Sequence, residues 1–130
     1  DYIGSSDAKH ILLIVDSCFS GNFTRRSAEN KSVEKLTQNT IERLQKKLTR
    51  LVITSGGNEQ VADAIGASKN SVFAEPLIKT LKNNTDVIRS IELFLKFQNY
   101  VINNAQQTPE HALIHGTGHD GGEFLFFPKS

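Results

Sequence analysis

Residues 10–15, His-Ile-Leu-Leu-Ile-Val, form a continuous apolar run rich in branched side chains. Such a run predicts a strand buried on both faces, as in a sheet covered by helices. It stops at Asp16-Ser17-Cys18-Phe19-Ser20-Gly21, a small, polar, glycine-ended turn. Residues 22–34 carry no convincing period and read as a mobile loop. From Val33 to Leu48 the pattern predicts a helix, with Leu36, Ile41, Leu44 and Leu48 near one face. Leu51-Val52-Ile53-Thr54 predicts a second short strand, broken by Ser55-Gly56-Gly57-Asn58. Residues 58–70 read as another long loop. Ser71 is placed to cap a helix running to about Leu81, with Phe73, Leu77, Ile78 and Leu81 on its buried stripe. Ile88 to Ala105 predicts a further helix, with Ile91, Leu95 and Val101 among its apolar positions, and Thr108-Pro109 ends it. Glu123-Phe124-Leu125-Phe126-Phe127 predicts a last strand, closed by Pro128.

The predicted order is β, α, β, α, α, β, which implies an α/β layered sheet. Three strands are few for a sheet with helices on both faces, so further strands are expected on a segment outside this chain. The start at Asp1-Tyr2-Ile3-Gly4, without Met, agrees with a fragment or a processed product. At 130 residues the chain fits one domain or part of one. A net charge of +1 argues against bulk nucleic acid or an anionic membrane surface as partner. No apolar run is long enough to span a bilayer. The single cysteine allows no intramolecular disulfide and no multi-cysteine metal site. A lone thiol suits a reducing compartment, so a cytoplasmic location is the expectation. A single cysteine is by default a small buried hydrophobe, and only its surroundings can argue otherwise.

Those surroundings do argue otherwise. Reactive groups in open α/β sheets cluster just beyond the carboxyl ends of strands. Cys18 falls three residues after the first predicted strand, with Asp16 at the strand end and the small Ser17 and Ser20 on either side. A substrate backbone can approach such a turn closely. The stretch Lys9 to Gly21, with its Asp16-Ser17-Cys18-Phe19-Ser20-Gly21 core, strongly resembles the nucleophile segment of caspase-like cysteine peptidases, in particular metacaspases and their bacterial relatives. Leu51 to Asp63 looks like the family's next strand and specificity-pocket loop. Ser71-Val72-Phe73 looks like its following helix entry, with Ser71 where the family has glycine. Gly118 to Phe126 resembles its final strand. The likeness runs in coarse order along nearly the whole chain, and its specific part is the cysteine motif.

The resemblance implies that residues 1–130 are a partial caspase-like catalytic domain. The implied fold is a three-layer sandwich, a mostly parallel sheet flanked by helices, with the N-terminal strands absent. It implies a cysteine endopeptidase that works by a Cys–His dyad. Cys18 attacks the scissile carbonyl to form an acyl-enzyme, a histidine protonates the leaving amine, and backbone N–H groups hold the oxyanion. The family's histidine precedes the cysteine. The one upstream histidine here, His10, begins the cysteine strand and so sits at the wrong end of it. The base is therefore expected on a missing N-terminal segment or on another chain. Asp16 and Asp63 match the family's acids that line a pocket for a basic residue, and Ser55 is placed as a pocket wall. A carboxylate pair favours Arg or Lys through charge-assisted hydrogen bonds, so cleavage after Arg or Lys of a protein or peptide substrate is expected. Arg25-Arg26 would then suit self-cleavage.

No cofactor is expected. Calcium activates several metacaspases, but no clear acidic cluster stands in this chain to bind it. His115 and His119 are four apart, yet four glycines between 115 and 122 forbid a stable helix, and a structural loop is the expectation there. No Gly-Lys-Ser/Thr follows Ser55-Gly56-Gly57, which argues against a phosphate-cradling loop. The competing functional reading is a catalytically inactive caspase-like scaffold that retains the cysteine.

Overall fold

The computed structural model describes residues 3–16, 23–25, 36–56, 73–105 and 108–129. The elements run β1 (His10–Val15), β2 (Phe23–Arg25), α1 (Gln38–Gln45), β3 (Thr49–Thr54), α2 (Ala74–Lys82), β4 (Ile88–Arg89), α3 (Ser90–Ala105), β5 (Glu110–Ile114) and β6 (Leu125–Phe126). The fold is mixed α/β. Four strands form one sheet in the order β1-β3-β5-β2, and β4 and β6 pair in a second, two-stranded sheet.

The first sheet is mixed. β1 and β3 are parallel, from His10 opposite Thr49 to Val15 opposite Thr54. β5 runs antiparallel to both β3 and β2. Of these three pairings one is parallel, so the sheet is not mostly parallel as expected. The cause is β5, which the sequence pattern does not reveal and which reverses the chain direction beside β3.

Alternation divides this sheet into two faces. Ile53 belongs to the main core, with Phe73 and Leu77 at α2, Ile88 of β4, and Ile91, Leu93, Phe94, Phe97 and Val101 of α3. Phe97 takes Phe73 and Phe94 edge-on, with centroids 5.5 and 5.8 Å away. The opposite face holds a smaller cluster of Val52, Ala112 and Ile114, with Ile3, Leu13 and Val15 packed against it.

Several elements depart from the pattern-based expectation. β1 is not buried on both faces: its residues are half-buried and Ile14 is 38% exposed. Among the described residues only β3 flanks it, and a sheet edge buries less than a sheet centre. Residues 23–25, expected within a loop, pair with β5 with Arg25 opposite Ala112, so Arg25 is held in a ladder; Arg26 lies outside the described residues. α1 begins at Gln38, where the Thr37 hydroxyl accepts the Thr40 N–H at 3.2 Å. Ile41 is its buried apolar residue, while Leu36, Leu44 and Leu48 are half-buried.

α2 starts after Phe73, which occupies the N-cap position without a side-chain cap bond; Ser71, expected there, lies outside the described residues. Ile78, expected inside, is 38% exposed, and Leu95, one of the apolar positions of the next helix, is 37% exposed. Ile88 and Arg89 leave the expected helix to pair with Phe126 and Leu125. The helix then starts at Ser90, and the Glu92 carboxylate accepts the Arg89 backbone N–H at 3.1 Å, the acidic half of a capping box. The last strand shortens to Leu125–Phe126 and stands in the second sheet rather than the first.

Candidate functional site

β1 and β3 finish side by side at one end of the sheet, the end at which the sequence places its candidate residues. The Ser55 N–H donates to the Val15 carbonyl at 2.9 Å, which continues the parallel ladder past the last strand residues. Register then sets Asp16 beside Ser55 on one face, the face that also carries Ile53. Asp16 is exposed, whereas Ser55 is 1% exposed. Two of the expected site residues are thus brought together. Cys18 and Asp63 lie outside the described residues.

β5 enters the sheet at the same end because it is antiparallel, with Glu110 opposite Thr54. Its approach is close. Gly56 has φ +67°, and a Cβ there would stand 2.0 Å from the Thr108 carbonyl oxygen. The glycine after Ser55, read from the sequence only as a strand breaker, therefore has two jobs. It adopts the left-handed conformation and it lets the segment before β5 pass against the end of β3.

All four histidines are described, and none stands free at this end. His10 begins β1 and so lies at the opposite end of the sheet, as expected. His115 is exposed in the turn after β5, also away from the Asp16 end. His119 accepts the Arg50 backbone N–H on Nδ1 at 2.9 Å, and the Asp120 N–H donates to the Leu48 carbonyl at 2.9 Å. The 115–122 segment therefore does serve as a structural loop, with His119 replacing a strand acceptor beside the start of β3. Gly122 seats it: a Cβ there would meet Thr49 Oγ1 at 2.1 Å and the Lys47 carbonyl at 2.7 Å. No group of three or more His, Cys, Asp or Glu able to hold a metal occurs among the described residues.

Sequence reasoning missed two buried polar sites. The Arg50 guanidinium, in a residue 1% exposed, donates to the carbonyls of Ile3, Ser6, Lys9 and Thr49 at 2.8–3.3 Å. It fastens the segment before β1 to the sheet. The fourth histidine, His111, is 1% exposed, and its Nε2 lies 2.8 Å from the Ser90 hydroxyl, which in turn donates to Glu123. The partners stand 21 and 33 residues apart, so no local motif announces them.

Comparison with family models, with curated proteins and with solved structures finds no match to this chain. No described helix is long and apolar enough to cross a membrane.

Proposed function

We propose that this chain is the cysteine-bearing part of a caspase-like endopeptidase that cuts after Arg or Lys. The observation that carries the reading is the Ser55 N–H to Val15 carbonyl bond. It aligns Asp16 with Ser55 at the carboxyl end of a parallel strand pair, two residues before Cys18 in the chain. That is the place where an open α/β sheet presents reactive groups. In this reading Cys18 is the nucleophile, Asp16 and Asp63 bind the basic side chain of the substrate, and Ser55 forms a wall of the same pocket. The fold is then a portion of a caspase-like sandwich.

The general base is a histidine on a polypeptide segment other than these 130 residues. His10 and His115 belong to the other end of the sheet, His119 is engaged by Arg50, and His111 is buried against Ser90. The thiolate attacks the scissile carbonyl, the histidine protonates the departing amine, and water then releases the acyl group. No metal or organic cofactor takes part.

The test is hydrolysis of fluorogenic peptides ending in Arg, Lys or Asp by the full-length protein, beside a Cys18→Ala variant. The proposal expects cleavage of the Arg and Lys peptides that the variant abolishes. Absence of any thiol-dependent cleavage, with and without calcium, would favour an inactive scaffold.

A further inference from the structure

The cluster Ser90, His111 and Glu123 joins three elements in the interior. Ser90 opens α3, His111 lies on β5, and Glu123 precedes β6; they are 0%, 1% and 7% exposed. Counting donors fixes the sense of the chain. The Ser90 hydroxyl donates to Glu123 Oε1, and the Phe124 N–H donates to the same oxygen at 2.9 Å. A hydroxyl has one proton, so Ser90 Oγ must accept from His111, 2.8 Å away. With Glu123 ionised, His111 therefore carries its proton on Nε2, and the relay runs from His111 through Ser90 to Glu123.

We infer that this cluster is a one-proton switch whose hydrogen bonds reverse as a unit. A proton from solvent bonds to His111 Nδ1, the Nε2 proton passes to Ser90 Oγ, and the Ser90 proton passes to Glu123. The product is a neutral carboxylic acid, a hydroxyl and an imidazole with its proton on Nδ1. One proton is taken up, and no charge pair is left separated in the interior. Both directions satisfy the Ser90 hydroxyl, which is why the same three side chains can hold two states.

Arg89, beside Ser90, is 7% exposed and is paired with Glu92 of α3 at 3.0 Å. On β5, Glu110 neighbours His111 but alternates to the other face, and His115 lies beyond the strand end. In the segment before β6, His119 is committed to Arg50 and Asp120 is exposed. Two apolar neighbours also stand here: the Phe94 ring lies 5.9 Å from the His111 ring, and Ile53 stands opposite on β3. Ser55 follows two residues after Ile53 on the same face, so the switch lies on the same sheet face as the Asp16–Ser55 end. The switch stands whether or not that end is a peptidase site.

The experiment is a long-range 15N–1H correlation spectrum of the full-length protein labelled on histidine, from pH 8 to pH 5, with a Glu123→Gln variant beside it. His111 is expected to change from the Nε2–H to the Nδ1–H pattern without passing through imidazolium. The change should run from about one-tenth to nine-tenths across about two pH units, the width of a single titration. Glu123→Gln should abolish the swap. Should that variant not fold, Ser90→Ala breaks the relay at its centre and should likewise abolish it. Three results would overturn the inference: an imidazolium at His111 in the native protein, retention of Nε2–H until the chain unfolds, or an unchanged swap in the variants.

Discussion

Replacing Arg50 separates two effects of a buried cation. Taking a guanidinium out of water costs several kcal/mol, and here four backbone carbonyls offset it rather than a carboxylate. In Arg50→Met the volume stays and the charge goes. The Lys9 carbonyl keeps the Thr49 N–H at 2.9 Å, and the Ile3 carbonyl keeps the Ser6 N–H at 3.4 Å. Ser6 is half-buried and its carbonyl can turn to water, while the Thr49 carbonyl keeps the Ile11 N–H that the parallel His10–Thr49 pairing supplies. No acceptor is stranded, so the expected loss is that of the charge-assisted second bonds to these carbonyls, about 1–3 kcal/mol.

Arg50→Lys keeps the charge but not the planar fork, so three donors on a flexible stem face acceptors spread around a guanidinium. A poorly compensated buried charge costs about 3–5 kcal/mol, which places Lys below Met. Denaturant midpoints measure both, and amide exchange at Ser6 and Thr49 locates the effect. A loss of 1–3 kcal/mol corresponds to roughly 5- to 150-fold faster exchange if the 3–9 segment is what opens. A Lys variant as stable as the native protein, or unchanged exchange in the Met variant, would refute the reasoning.

Two further substitutions probe the core and the site end. Phe97→Ala removes the ring that both Phe73 and Phe94 meet edge-on, and should cost about 3–5 kcal/mol in equilibrium unfolding; a loss below 1 kcal/mol would show that the core is not packed around it. Gly56→Ala forces a Cβ against the Thr108 carbonyl at a positive φ, so about 2 kcal/mol or more should be lost, along with the register of Glu110 opposite Thr54. A fully stable Gly56→Ala protein would contradict the close approach of Thr108 to the end of β3.

The parts of the fold that were legible from sequence are those with strong local patterns. β1 and β3 are apolar runs that end in small polar turns, and the adjacency of their ends carries the Asp16–Ser55 pairing. β5 escaped notice because Glu110 and His111 break its apolar character; its strand conformation comes from pairing on both sides, with β3 and β2. Ile88 fits a helical period as well as a strand, and only its partner Phe126, 38 positions later, decides between them. Arg50 and His111 look like ordinary surface residues in sequence. Their acceptors come from distant segments, and burial of a polar side chain is a tertiary property that no local window contains. The site is legible to the same degree: strand ends can be read, while the closing of Thr108 over Gly56 cannot.

The central claim is that the carboxyl end of the β1–β3 pair is a pocket for a basic side chain beside a nucleophilic thiol. It is tested most directly by kcat/KM of the full-length protein for otherwise identical peptides ending in Arg or Asp, before and after Asp16→Asn. A charge-assisted hydrogen bond contributes about 1.5–3 kcal/mol, so the Arg peptide should lose roughly 10- to 150-fold while the thiol still reacts with an alkylating agent. Cleavage of the Arg peptide that is indifferent to Asp16→Asn, or a preference for the Asp peptide in the native protein, would contradict the account.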